Sequence, residues 1–307
     1  PRVKDVETMI KLLESMGSKV KVSKNKNSLV IQNNKKIKTE ASYNLMSTMR
    51  AGIIVMGPLL ARFGKARVSN PGGCNIGFRP IDIHLDGLKK MGVKYKIVDG
   101  YINAIVKNGL KGAKIKFPKI SVGATENLMI AACLAKGQTT LINCAIEPEI
   151  KDLSNFLCSI GAKIVWTGKR QVKIIGVKNF KQSNYKVMFD RIEAGTMLVA
   201  AAINQGNLKI TGIESDILKT EINILKKVGA KIIQKKNEIT ILGNKRIKHI
   251  NIKTSPYPGF PTDLQAQFMV LLCKANKKST IREDIFENRF QSVPELKRMN
   301  AKIEVKG

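Results

Sequence analysis

Leu225-Lys226-Lys227-Val228-Gly229-Ala230-Lys231-Ile232 recurs in four variants along the chain. The variants are Leu12-Leu13-Glu14-Ser15-Met16-Gly17-Ser18-Lys19-Val20, Leu88-Lys89-Lys90-Met91-Gly92-Val93-Lys94-Tyr95, Phe156-Leu157-Cys158-Ser159-Ile160-Gly161-Ala162-Lys163-Ile164 and Leu296-Lys297-Arg298-Met299-Asn300-Ala301-Lys302-Ile303. The Gly or Asn stands at 17, 92, 161, 229 and 300, at spacings of 75, 69, 68 and 71 residues. The pattern has a physical reading. An amphipathic helix ends at a residue able to turn left-handed, and an alternating strand such as Lys163-Ile164-Val165-Trp166 follows.

A second signature interleaves with the first. Helix-like runs end at Gly64, Gly137 and Gly206 and near Asn276, each leading into a short strand such as Thr139-Thr140-Leu141-Ile142 or Asn207-Leu208-Lys209-Ile210. These runs are apolar on most sides, as in Leu128-Met129-Ile130-Ala131-Ala132-Cys133-Leu134-Ala135, so they predict buried helices. The unit is therefore about 70 residues of helix, strand or hairpin, buried helix and strand. Several units would pool their buried helices into one domain with the sheets outside. The chain starts inside one unit and stops just after the helix of another, which predicts truncation at both ends.

The 307 residues suggest about two domains. No apolar run reaches the ~18 residues of a membrane span, and the N-terminus has no signal-peptide core. A cytoplasmic protein is expected. The five cysteines are odd in number, and Cys133, Cys144, Cys158 and Cys273 lie in or beside apolar runs, as reduced core thiols do. No C-x-x-C pair exists, and the only histidines, His84 and His249, lie far apart. No metal and no cofactor are expected. The net charge of +31 admits a nucleic-acid binder. Scattered lysines and 5% aromatics favour instead a solvated basic surface suited to small anionic substrates.

Five segments carry candidate chemistry. Pro71-Gly72-Gly73-Cys74-Asn75-Ile76-Gly77-Phe78-Arg79-Pro80-Ile81-Asp82 reads as a loop holding either a reactive thiol with a cationic neighbour or an incidental surface cysteine. Lys119-Ile120-Ser121-Val122-Gly123-Ala124-Thr125-Glu126-Asn127 opens a buried helix, either as an anion site or as an ordinary cap. Asp190-Arg191-Ile192-Glu193-Ala194-Gly195-Thr196 opens another, its Asp-Arg pair being possible structural glue. In Tyr257-Pro258-Gly259-Phe260-Pro261-Thr262-Asp263-Leu264-Gln265-Ala266-Gln267, Asp263 is either a base or an N-cap. Phe286-Glu287-Asn288-Arg289-Phe290 suits an inter-domain contact or a site edge. The second, third and fourth segments precede buried helices in successive units, so a shared, anion-attracting rim is expected.

These segments, in this order and over essentially the whole chain, resemble the UDP-N-acetylglucosamine 1-carboxyvinyltransferase family. The shikimate-pathway enolpyruvyl transferases share the fold but lack the Pro-Gly-Gly-Cys loop. The resemblance implies an α/β protein with the two-domain enolpyruvyl transferase fold, an inside-out α/β barrel. The first domain, 1–188, would carry the Cys loop and be nearly complete; the second, 189–307, would be incomplete. The implied reaction moves the enolpyruvyl group of phosphoenolpyruvate to the 3′-hydroxyl of UDP-N-acetylglucosamine and releases phosphate.

The resemblance also assigns roles. Cys74 becomes the general acid and Asp263 the base. Arg50, Arg79, Pro80, Ile81, Asp82, Ile83, Lys119, Ile120, Ser121, Val122, Gly123 and Ile285 become substrate contacts. Glu147, Asp190, Arg191 and Arg289 become supporting positions. The implied partners are the two small substrates, with no nucleic acid and no membrane, and the protein would act as a monomer. The family's phosphoenolpyruvate-binding Lys-Asn pair would precede residue 1. Its Asp-Leu-Arg segment and a further Arg would follow residue 307.

Overall fold

The computed structural model describes residues 3–25, 27–33, 36–72, 76, 80–243 and 246–306. Its chain contacts divide into two compact units. The first runs to Val187, without the short stretch holding Ile76; the second holds Ile76 and the chain from Met188 onward.

The first unit begins with α1 (Lys4–Ser15) and the antiparallel hairpin β1 (Ser18–Val22) and β2 (Leu29–Asn33). β3 (Glu40–Ala41) and α2 (Tyr43–Met46) follow. A 3₁₀ turn (Arg50–Val55) then leads into α3 (Met56–Phe63) and β4 (Lys65–Ser69). The amphipathic α4 (Asp82–Lys90) precedes the hairpin β5 (Lys94–Val98) and β6 (Tyr101–Ile105). The same order returns as β7 (Lys114–Lys116), α5 (Val122–Ala132), β8 (Gln138–Ile142), α6 (Pro148–Ser159), β9 (Lys163–Gly168) and β10 (Gln171–Ile175). The two sheets have matching orders, β3-β4-β6-β5 and β7-β8-β10-β9. In each, a short strand runs parallel to the strand after the buried helix, and the hairpin completes the sheet.

The second unit holds α7 (Arg191–Ile203), β11 (Asn207–Thr211), α8 (Lys219–Lys227), β12 (Lys231–Lys235) and β13 (Glu238–Leu242), with strand order β11-β13-β12. It continues through β14 (Asn251–Lys253), a 3₁₀ turn (Thr262–Leu264), α9 (Gln265–Leu272), β15 (Thr280–Arg282) and α10 (Val293–Arg298), with β14 parallel to β15.

The buried helices are the predicted apolar runs. In α5, Ala124, Leu128, Met129, Ala131 and Ala132 are fully buried; in α9, Phe268 and Leu271 are. Burying a Leu- or Phe-sized side chain contributes roughly 1.5–3 kcal/mol, so such helices are held by their surroundings more than by propensity. They also pack closely. A β-carbon on Gly57 of α3 would collide with Asn127 of α5.

The repeat signature is visible in the backbone. Gly17, Gly92, Gly161, Gly229 and Asn300 all lie at positive φ, between 65° and 109°, after α1, α4, α6, α8 and α10. The second signature needs correction at three places. α5 ends at Ala132, five residues before Gly137, which turns left-handed (φ 91°) only at the entry to β8. After α7 the left-handed residue is Gln205 (φ 56°) and not Gly206, because the helix ends one residue earlier than its Gly suggests. Asn276 is not a left-handed cap either. Its N–H donates to the Ile247 carbonyl at 2.9 Å and its Oδ1 accepts from His249 N, so it ties α9 to the β13–β14 connection. No described helix is long and apolar enough to cross a membrane.

Candidate active site

In the first unit, the base of the Pro-Gly-Gly-Cys loop is anchored. Gly72 N–H donates to the Met46 carbonyl at 3.0 Å, and Arg50 Nη1 donates to the Pro71 carbonyl at 3.2 Å. Cys74 and Arg79 lie outside the described residues. Pro80 and Ile81 are half-buried at the start of α4, Asp82 is exposed in its first turn, and Ile83 is buried. Lys119 and Val122 are exposed, whereas Ile120, Ser121 and Gly123 are half-buried. Ser121 caps α5, its Oγ accepting from Ala124 N at 3.3 Å. No described acceptor meets the N–H groups of Val122 and Gly123, which is the open state of a helix's first turn. The capping and anion-binding readings of this segment are compatible.

The structure brings α4 and α5 together through a residue that the motif reading passed over. His84 follows Ile83 and is 6% exposed. Its Nδ1 lies 3.1 Å from Asn127 Nδ2, and its ring stands beside Gly123. Burial, with a smaller contribution from the Arg50 charge, pushes its pKa down to about 4. Arg50, His84 and Gly123 therefore share one neighbourhood. Glu147 lies before α6, buried, with Oε2 accepting from Ile146 N at 3.0 Å. It faces Glu126 of α5, whose pKa is pushed up to about 7 by burial and by the charges of Glu149 and Glu147.

In the second unit, Asp190 is a true N-cap, its Oδ1 accepting from Ile192 N at 2.9 Å and Glu193 N at 3.0 Å. Arg191 points inward, forming a buried ion pair with Glu221 at 3.8 Å and facing the Tyr257 ring at 5.7 Å. Asp263 does not cap α9. It sits in the preceding 3₁₀ turn, and its Oδ1 accepts from Arg289 Nη2 at 2.9 Å. The Asp263 side chain is 57% exposed, so it is accessible to a ligand, and among the described residues Oδ2 has no partner. Ile285 is held beside it through Glu283. Glu283 Oε1 accepts from Ile285 N at 2.9 Å, while Oε2 accepts from Thr262 Oγ1 at 2.9 Å. Asp263, Ile285 and Arg289 thus converge on one edge. Glu283 organises that edge, and only its place beside Ile285 could have marked it. Ile76 also belongs here, its carbonyl accepting from Asn288 N at 3.0 Å.

Two cavities lie on the units. One, of about 450 Å³, runs along Ile83, Lys89, Lys90, Lys116, Phe117 and Pro118, next to the candidate contacts at the start of α4. The other, of about 330 Å³, lies at the C-terminal ends of α7 and α9, away from Asp263, and no candidate residue lines it. Among the described residues no cluster of three or more His, Cys, Asp or Glu could hold a metal ion.

The family model for EPSP synthase (3-phosphoshikimate 1-carboxyvinyltransferase) matches residues 1–307. A UDP-N-acetylglucosamine 1-carboxyvinyltransferase of Pelagibacter ubique is 68% identical over 307 residues, covering 100% of this chain and 73% of its own length. One from Geotalea uraniireducens is 50% identical with the same coverage. Among solved structures, the enolpyruvyl transferase NikO of Streptomyces tendae superposes with a TM-score of 0.86 at 20% identity, covering 97% of this chain and 71% of that one. EPSP synthase of Acinetobacter baumannii gives 0.66 at 17% identity, covering 92% and 66%. At such identities the structural likeness bears on the fold.

Proposed function

Because the chain belongs to the enolpyruvyl transferase family, within its UDP-N-acetylglucosamine 1-carboxyvinyltransferase branch, we propose that it catalyses that branch's reaction. The 3′-hydroxyl of UDP-N-acetylglucosamine adds to C2 of phosphoenolpyruvate, and C3 takes up a proton. Loss of phosphate and of a C3 proton then leaves the enolpyruvyl ether. The product is a peptidoglycan precursor. The observation that carries this reading is the identity of 68% over all 307 residues with a relative of that name.

The site residues suit the assigned roles. Asp263 has one oxygen committed to Arg289 and the other open, a suitable arrangement for accepting the proton of an incoming hydroxyl. The first turn of α5, with open N–H groups at Val122 and Gly123 and with Lys119 nearby, suits a diphosphate. Cys74 is assigned the proton donation to C3, since a thiol has a pKa that its surroundings can tune toward neutrality. Asp190 and Arg191 are supporting positions, Asp190 capping α7 and Arg191 pairing with Glu221. We place the domain boundary near residue 188 and the protein in the cytoplasm as a monomer.

The test is phosphate release from phosphoenolpyruvate in the presence of UDP-N-acetylglucosamine. Relatives extend beyond the matched region, the chain spanning 73% of their length. The assay is therefore run on the chain alone and on the chain joined to the relatives' additional segments. Phosphate release dependent on both substrates is expected from the joined form. Release with shikimate 3-phosphate in place of the sugar nucleotide would overturn the substrate assignment.

A further inference from the structure

Glu283 makes more contacts than closing its own loop requires. Its Oε1 accepts from Thr254 Oγ1 at 3.0 Å, from Ile285 N at 2.9 Å and from Phe286 N at 3.2 Å. Its Oε2 accepts from Thr262 Oγ1 at 2.9 Å. Thr254 is itself fully buried, and its hydroxyl also receives Asp284 N at 2.9 Å. One carboxylate thus joins three segments. They are the end of β14, the 3₁₀ turn that presents Asp263, and the loop after β15 that presents Ile285. Hydrogen bonds to an ionised acceptor are the stronger kind, so the junction is stiff.

The internal repeat shows that the fold does not require this arrangement. Ile252 pairs with Ile281 between β14 and β15, as Ile115 pairs with Leu141 between β7 and β8. Two residues onward the frames still correspond. Thr254 N donates to the Arg282 carbonyl at 2.9 Å, and Phe117 N to the Ile142 carbonyl at 2.9 Å. By this register Glu283 corresponds to Asn143, and Ile285 to Ala145. Asn143 is neutral and donates to the Phe117 carbonyl at 3.0 Å. Ala145 N goes to Thr125 Oγ1, within α5, at 3.0 Å. The same strand–helix–strand frame therefore closes without a carboxylate. Only in the repeat that holds Asp263 does the loop's acceptor sit on a side chain that also grips the turn before the helix.

We propose that Glu283 is the positioning residue of the Asp263 base. Oε2 sets the turn that carries Asp263, and Oε1 sets the loop that carries Ile285, so the proton acceptor and the nucleotide contact keep one register. Arg289 holds the side chain of Asp263, whereas Glu283 holds the backbone from which it projects. A misplacement of about 1 Å in a reacting group can cost about 10²-fold in rate, which gives such a clamp its value. This role rests on the proposed function; the clamp does not.

The first arm of the test needs no reaction. Amide hydrogen exchange is read by NMR on the complete 307-residue chain. In Glu283→Ala, Ile285 and Phe286 N–H should exchange about tenfold faster or more, with Leu271 of α9 unchanged. Thr262→Val removes only the Oε2 arm and should leave both loop amides protected. Parent-like protection in Glu283→Ala overturns the proposal, as does loss of protection throughout α9, which marks a role in the fold alone. The second arm is phosphate release by the joined form of the chain. Thr262→Val should lower kcat about tenfold and leave KM for the sugar nucleotide unchanged, since only the base is loosened. Glu283→Ala should lower kcat at least as much and raise that KM as well. In Glu283→Gln the amide oxygen can still accept from the loop and the nitrogen can donate to Thr262 Oγ1, so most of both losses should be recovered. Parent kcat in Thr262→Val or Glu283→Ala overturns the proposal, and so does a Glu283→Gln variant as impaired as Glu283→Ala. Absence of phosphate release in the parent, with the loop amides protected, sinks the proposed function and this role with it but leaves the clamp standing.

Discussion

Arg289 closes an ion pair on Asp263 across 26 residues of sequence, Nη2 to Oδ1 at 2.9 Å. The guanidinium is 17% exposed and the carboxylate 57%. A pair this accessible contributes on the order of 0–1 kcal/mol to stability. Its geometry matters more, because Arg289 fixes one carboxylate oxygen and leaves the other toward solvent. Asp263→Asn is expected to lower kcat for phosphate release by about 10³-fold, the scale of a positioned base. Arg289→Met should lower it about tenfold to a hundredfold by releasing the carboxylate. Neither should move the urea midpoint appreciably. A large stability loss with turnover retained would reverse this reading and make the pair structural.

The Arg191–Glu221 pair is the opposite case, since both side chains are almost fully buried, at 7% and 3% exposure. Removing one member leaves an uncompensated buried charge, a cost of about 3–5 kcal/mol. Glu221→Leu should therefore destabilise the chain by that order in urea unfolding followed at the second unit. The double replacement Arg191→Met with Glu221→Leu should recover much of the loss, because a well-packed apolar pair avoids desolvation altogether. Additive effects of the two single replacements would show that the pair is not coupled as drawn.

Glu126 supplies a pH dependence. Its ordinary value is 4.5, and in the fold it is held at about 7, first by burial and then by Glu149 and Glu147. The folded chain thus binds this proton more tightly than the unfolded chain. The stabilisation is complete below pH 4.5 and is lost as pH rises through 7. Glu126→Gln mimics the protonated form. It should match the parent at pH 4 and exceed it by about 3 kcal/mol at pH 8, measured by urea unfolding. Equal stability of the two at pH 8 would mean that Glu126 is ionised without penalty.

What could be read from the sequence was mostly local. Gly17, Gly92, Gly161, Gly229 and Asn300 mark helix ends because a left-handed residue is required within a few positions of a known helix, and few residue types allow it. The same rule misplaced the end of α7 by one residue. The left-handed turn is Gln205, so the tolerant glycine beside it was a false marker. Candidate site positions were legible where a residue stands in a long motif, as Asp263 and Ser121 do. His84 was not legible, because its partner Asn127 is 43 residues away and only the fold brings the two together. Asp263 looked like a helix cap in sequence; its actual partner, Arg289, becomes its neighbour only through folding.

The cysteines separate by environment. Cys133 and Cys144 are 0% exposed, and burial pushes their thiols up to about 12 and about 11. Cys158 and Cys273 are exposed. Alkylation proceeds through the thiolate, so both burial and a raised pKa suppress it. In the native chain at pH 7.5, iodoacetamide should modify Cys158 and Cys273 within the time that Cys133 and Cys144 stay intact, as read by peptide mass spectrometry. Since Cys133 has neither access nor thiolate, Cys133→Ser should leave phosphate release unchanged. Cys74→Ser should abolish it, because a serine hydroxyl is a far weaker acid than a thiol and cannot protonate C3. Cys74→Asp should retain turnover, a carboxyl being able to donate the proton, yet resist epoxide alkylators such as fosfomycin, which need the sulfur. Full turnover by Cys74→Ser would remove Cys74 from the proton transfer and return the acid's role to a group elsewhere in the site.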